Sequence, residues 1–117
     1  MADNTYILID VGGSNTRVAL SDETSLNPKT IQKFSNAGYG CLENIVKTYM
    51  QAQNLTKATA ICVAAAGPLR DGVIKVTNLD WVICPDRLRA LTQSNNVGLL
   101  NDLQAQGYAL NILPLES

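Results

Sequence analysis

The chain has 117 residues, of which 46% are hydrophobic and 16% charged, with a formal net charge of −1. That length corresponds to one domain and buries roughly 65% of the unfolded surface, enough for a core without disulfide or metal staples. The near-neutral balance argues against a nucleic-acid module with a basic stripe, and no apolar run approaches the roughly 20 residues of a membrane span. Asp3 stands where a signal peptide wants Lys or Arg, so export is not expected and the expected location is cytoplasmic. The three cysteines, Cys41, Cys62 and Cys84, have no CxxC spacing, and the chain has no histidine. This argues against a zinc site and excludes a His-based triad within the chain, and the cysteines read as small buried hydrophobes.

Taken in order, Tyr6 to Ile9 is a continuous apolar run, as in a strand covered on both faces. Thr16 to Leu20 is β-prone and follows a short Gly-containing link, so the two form a hairpin. Asp22 to Pro28 is polar and turn-rich, and Thr30 to Ser35 reads as a third strand closing an antiparallel meander. Asn36 to Gly40 reads as a loop with two glycines. From Cys41 the period changes: Leu42, Ile45, Val46, Tyr49 and Met50 form one apolar stripe at helical spacing, ending near Asn54. Thr59 to Ala66 is an apolar strand stopped by Gly67-Pro68, and its small alanines imply close packing at its end.

Asp71-Gly72 is a turn signal before the short strand Val73 to Thr77. Asn78 to Trp81 is a loop carrying the single tryptophan. Pro85 and Asp86 open a helix with Leu88 and Leu91 on one face. Val97 to Leu100 is a strand with Asn101-Asp102 at its C-terminal end, and Leu103 to Leu113 reads as a final helix running out at Pro114. Strands that alternate with helices in the second half require parallel pairing through right-handed crossovers.

Three places carry candidate chemistry. In Asp10-Val11-Gly12-Gly13-Ser14-Asn15, an apolar strand runs into one carboxylate and then a Gly-Gly turn. Backbone N–H groups there can approach phosphate oxygens because no Cβ blocks them. Asp10 is a hard oxygen ligand suited to Mg²⁺, directly or through water. Ser14 and Asn15 add neutral donors. The same residues also suit a plain Gly-Gly hairpin whose Asp accepts turn hydrogen bonds, and the loop is neither a GxGxxG fingerprint nor a Walker A motif. Asn101-Asp102 stands where ligands collect in open α/β sheets, at the carboxyl end of a strand, although Asp102 also suits a helix N-cap. Gly67 offers close approach of a ligand to a strand end, and Asn78 offers hydrogen bonds to hydroxyls; taken alone, each is better explained by a tight turn and an ordinary loop with Trp81 on the core. Arg17 and Arg70 read as structural or solvated charges.

Taken together these segments resemble the N-terminal lobe of bacterial glucokinases, within the hexokinase and actin superfamily. Asp10 to Leu20 is similar to the family's D-V-G-G-T-N-x-R-x-A-L, with Ser14 in place of Thr. Ala64-Ala65-Ala66-Gly67-Pro68 and Val76 to Trp81 are similar to its small-residue-Pro and T-N-x-x-W segments. Leu99 to Ala105 is similar to its I-N-D-F-x-A, with Leu103 in place of Phe. The order and spacing agree across essentially the whole chain. The implied fold is an α/β actin-like ATPase domain of the ribonuclease H-like kind: a mixed sheet, antiparallel three-strand meander first and parallel strands after, with helices on its faces.

The resemblance implies ATP-dependent transfer of phosphate to the 6-hydroxyl of glucose. Asp102 would be the catalytic base and, with Asn101, a sugar ligand; Asn78 and Gly67 would also line the substrate. Asp10, Val11, Gly12, Gly13, Ser14 and Asn15 would cradle the ATP phosphates, with Asp10 as the Mg²⁺ ligand. On this reading residues 1–117 are one lobe of a two-lobed kinase, the second lobe is absent, and the chain alone does not turn over. A homodimer is compatible with it. The alternatives are a sugar kinase of the ROK type, whose sugar loop Asn78 to Trp81 also resembles, or a non-catalytic actin-like module for ligand sensing or oligomerisation.

Overall fold

The computed structural model describes residues 5–22, 26–76 and 79–101, with Leu69 and Asn101 described by their backbone alone. Eight strands and two helices follow one another: β1 (Tyr6–Val11), β2 (Asn15–Ser21), β3 (Leu26–Ser35), a 3₁₀ turn (Asn36–Gly38), α1 (Leu42–Ala52), β4 (Ala60–Ala65), β5 (Leu69–Arg70), β6 (Val73–Lys75), β7 (Val82–Ile83), α2 (Pro85–Thr92) and β8 (Asn96–Asn101). Five strands form the main sheet in the order β3-β2-β1-β4-β8, and β5-β6-β7 form a small second sheet. The first three strands of the main sheet are antiparallel, and β1, β4 and β8 run parallel. This is the mixed sheet expected from the order of elements.

The run Tyr6 to Ile9 was expected to be covered on both faces, but its burial alternates. Ile7, Ile9 and Val11 are buried, whereas Tyr6, Leu8 and Asp10 are only half-buried. β4 repeats the pattern, with Ile61, Val63 and Ala65 buried and Cys62 half-buried between them. The buried set joins Leu42, Ile45, Val46, Tyr49 and Met50 of α1 and Leu88 of α2 in one core. Both described helices therefore lie on one face of the sheet. All three cysteines are half-buried, so the core they were assigned to takes them only at its margin.

Two further differences have clear causes. β3 starts at Leu26, four residues before Thr30, and includes Pro28. It is the edge strand, where a missing N–H breaks no ladder. The register with β2 shifts between Val18 and Leu20, and there the Leu20 N–H donates to the Thr30 hydroxyl at 2.9 Å. Asp71 and Gly72 both have positive φ, 53° and 79°. That pair of left-handed residues makes the tight turn joining β5 to β6, a strand pairing that the Asp-Gly signal alone did not delimit. The helix read over Leu103 to Leu113 lies outside the described residues. Among the described residues no helix is long and apolar enough to cross a membrane.

Candidate active site

The connection from β1 to β2 is three residues, Gly12-Gly13-Ser14, and it stands at the carboxyl end of β1. It is closed by the Gly12 amide, which donates to the Asn15 carbonyl at 2.8 Å. The two glycines differ in what requires them. A Cβ on Gly12 would lie 3.0 Å from the Asn15 carbonyl oxygen, so the turn itself is tight there. A Cβ on Gly13 would meet nothing within 4 Å, so that position opens outward. Because the Gly12 N–H is committed to the turn, the amides left for a ligand are those of Gly13 and Ser14. No backbone bond within the described residues takes up either. Gly13, Ser14 and Asn15 are exposed, whereas Val11 is buried in the core and offers a ligand only its backbone.

Asp10 is directly opposite Arg17 in the β1–β2 ladder, and the Arg17 Nη2 lies 3.7 Å from its Oδ2. Its carboxylate is one-third exposed, so water reaches it. Arg17 thus has a defined charge partner beside the loop. Arg17 in turn pairs across the ladder with Lys33 of β3. Asp10, the loop, Arg17 and Lys33 line a shallow polar cleft of about 240 Å³. A larger cleft, of about 550 Å³, lies among Tyr6 to Leu8, Ala60 to Cys62 and Asn95 to Gly98 near the starts of the same strands. It holds no comparable set of backbone donors and carboxylate, so the smaller cleft is the better candidate.

Among the described residues no three Asp, Glu, Cys or His side chains come together as a metal cage. A single carboxylate that is one-third exposed suits Mg²⁺ even with Arg17 beside it, because the ion keeps several waters and is usually held by one or two carboxylates plus substrate phosphates. Asp10 fits that pattern.

The sheet brings other predicted residues to the same edge. In register, Val11 of β1 pairs with Ala65 of β4, and Ala65 pairs with Asn101 of β8. At the usual strand spacing the backbone of Asn101 is therefore about 10 Å from that of Val11. Gly67 follows two residues past the end of β4, with φ +153°. A Cβ there would sit 2.2 Å from the Lys75 carbonyl oxygen, so glycine is required by the approach of β6. The Val76 amide donates to the Trp81 carbonyl at 3.0 Å, closing the base of the segment that contains Asn78. Trp81 is buried on the core. Asn78 and Asp102 themselves lie outside the described residues.

Sequence reasoning missed Asn36. Read as part of a loop, it is 4% exposed, and its side chain makes two hydrogen bonds into the β1–β2 connection. The Thr16 hydroxyl donates to Asn36 Oδ1 at 2.7 Å, and Asn36 Nδ2 donates to the Gly12 carbonyl at 2.9 Å. The Asn36 amide also donates to the Ser14 carbonyl at 2.8 Å. The pairing of β2 with β3, from Asn15–Ser35 onward, brings these segments together, and no local pattern signals it.

Comparison with known proteins bears on the family and the fold. The glucokinase family model matches residues 7–117. A glucokinase from Caulobacter vibrioides is 35% identical over 102 residues, covering 86% of this chain and 31% of that protein. The crystal structure of a glucokinase from an Antarctic psychrotroph superposes with a TM-score of 0.78 at 25% identity, covering 98% of this chain and 37% of that one. A glucokinase from Balamuthia mandrillaris, solved in complex with glucose, shares the fold with a TM-score of 0.69 at 20% identity, covering 93% and 32%. The chain spans about a third of the length of the curated relatives it matches. With its loop, sheet order and match over nearly its whole length, the chain belongs to the glucokinase family.

Proposed function

We propose that this chain is the N-terminal lobe of a two-lobed kinase that transfers the terminal phosphoryl group of MgATP to the 6-hydroxyl of glucose. The observation that carries the proposal is the shared sheet edge: the Asp10–Asn15 connection ends β1, and Asn101 ends β8 two strands away. Phosphoryl transfer requires mainly positioning and charge stabilisation, with one carboxylate aligning the nucleophile. On this reading two carboxylates divide that work. Asp10 holds Mg²⁺, directly or through water, and the amides of Gly13 and Ser14 meet phosphate oxygens. Asp102, next in the chain after Asn101, accepts the proton of the sugar hydroxyl, while Asn101, Asn78 and Gly67 border the sugar. Bound at Asp10, Mg²⁺ would neutralise charge on the phosphates.

The non-catalytic alternative has no use for carboxylates at both places, and the matching family model favours the glucokinase reading over the ROK one. The test is Asp102→Asn in the full-length protein. Loss of a general base costs about 10²–10⁴-fold in rate, so glucose phosphorylation should fall by that much while glucose binding by calorimetry stays within a few-fold. Turnover within tenfold of the parent would remove Asp102 from the role of base.

A further inference from the structure

We infer that Asn36 is the positioning residue that aims the Gly13 amide into the phosphate cleft, acting through the Gly12–Gly13 peptide. The inference rests on reading the β1–β2 connection as a phosphate cradle. A trans peptide is planar, and its C=O and N–H point in opposite directions. The Gly12 carbonyl and the Gly13 N–H belong to one such plane. Asn36 Nδ2 holds that carbonyl at 2.9 Å from a site that is 4% exposed, on the interior side of the connection. The Gly13 N–H is therefore turned outward, at the position where an added Cβ would meet nothing within 4 Å.

Asn36 is itself fixed from several sides. Its Oδ1 accepts from the Thr16 hydroxyl at 2.7 Å, and Thr16 is fully buried. Because that oxygen is the acceptor for Thr16, the amide nitrogen is the end that faces Gly12. Its backbone N–H holds the Ser14 carbonyl, and its own carbonyl accepts from the Tyr39 amide at 3.1 Å. The Tyr39 ring meets the buried Phe34 edge-to-face at 5.7 Å, which ties the 3₁₀ turn to the core. A glycine pair is free to rotate its peptide planes. Here one buried side chain removes that freedom at the plane presenting the donor. A preset donor binds more tightly because less ordering remains to be done when the ligand arrives.

The test uses the full-length protein and two ligands, glucose and the Mg²⁺ complex of the β,γ-imido analogue of ATP, titrated by calorimetry alongside thermal unfolding. Thr16→Val keeps the shape and removes the hydroxyl that orients Asn36; Asn36→Leu removes both side-chain bonds. Each should weaken nucleotide binding by about tenfold or more, the equivalent of one lost hydrogen bond, with glucose affinity within twofold. Thr16→Ser, which retains the hydroxyl, should stay within twofold of the parent for both ligands. A merely structural Asn36 would lower the melting temperature and leave nucleotide affinity of the folded protein unchanged, and that result overturns the inference. Should Asn36→Leu fail to fold, Thr16→Val decides the matter. A parent that binds no nucleotide ends the phosphate-cradle reading and this inference with it. A parent that binds nucleotide without phosphorylating glucose ends only the kinase reading, and calorimetry still decides the role of Asn36.

Discussion

Gly67 shows how one residue can be read correctly as special and for an incomplete reason. The sequence suggests close approach of a ligand to a strand end. In the structure the backbone of β6 already occupies the space, with the Lys75 carbonyl oxygen 2.2 Å from where a Cβ would stand and φ at +153°. Backbone cannot yield there as a flexible side chain would. Gly67→Ala should therefore cost stability whatever it does to the sugar, by about 2 kcal/mol or more, seen as a lower urea midpoint at unchanged slope. An unaltered midpoint would show that the β4–β5 link relaxes freely. At this scale the turn between β1 and β2 was legible because Gly12 and Gly13 are adjacent in sequence. Asn36 was not, because its partners Gly12 and Thr16 are 24 and 20 residues away and are brought to it by strand register alone.

At the scale of elements, α1 was legible because its apolar stripe has the helical period, and all five stripe residues are buried. β3 was legible only in its second half, because the sequence signal of Pro28 opposes a strand and the tolerance of an edge position is a property of the sheet. The two elements are joined through Tyr49. It is fully buried, its ring meets Phe34 edge-to-face at 6.3 Å, and its hydroxyl donates to the Thr30 carbonyl at 2.7 Å. Burial pushes the Tyr49 pKa above 10.0. The unfolded chain then ionises first as pH rises, so the parent loses stability from about pH 10 upward through the folded-state pKa. Tyr49→Phe removes one hydrogen bond and should cost about 1 kcal/mol at neutral pH. It also removes that ionisation, so the gap between parent and variant should narrow above pH 10. Denaturation curves at pH 7 and pH 10.5 check both signs, and a gap that widens at high pH would contradict the assignment.

At the scale of the whole molecule, the directions of the main-sheet strands were legible from element order, whereas the separate β5-β6-β7 sheet was not. Three strands without a helix between them must pair antiparallel, and strands separated by helices must return parallel. The half-buried face carrying Tyr6, Leu8 and Asp10 was not legible, because an apolar run does not reveal how fully each of its two faces is covered. The site has the same character. The described residues supply one wall, a cleft of about 240 Å³ whose lining is polar or glycine. Small-molecule sites normally enclose 70–90% of the ligand surface between walls that are mainly apolar, and a kinase must also keep water from competing as acceptor. A single open wall does not enclose a sugar. Residues 1–117 alone should therefore bind glucose with a millimolar Kd or not measurably by calorimetry, and should not phosphorylate it. A micromolar constant for the 117-residue chain would place the whole sugar site within these residues and overturn the expectation that a second wall is needed to hold glucose.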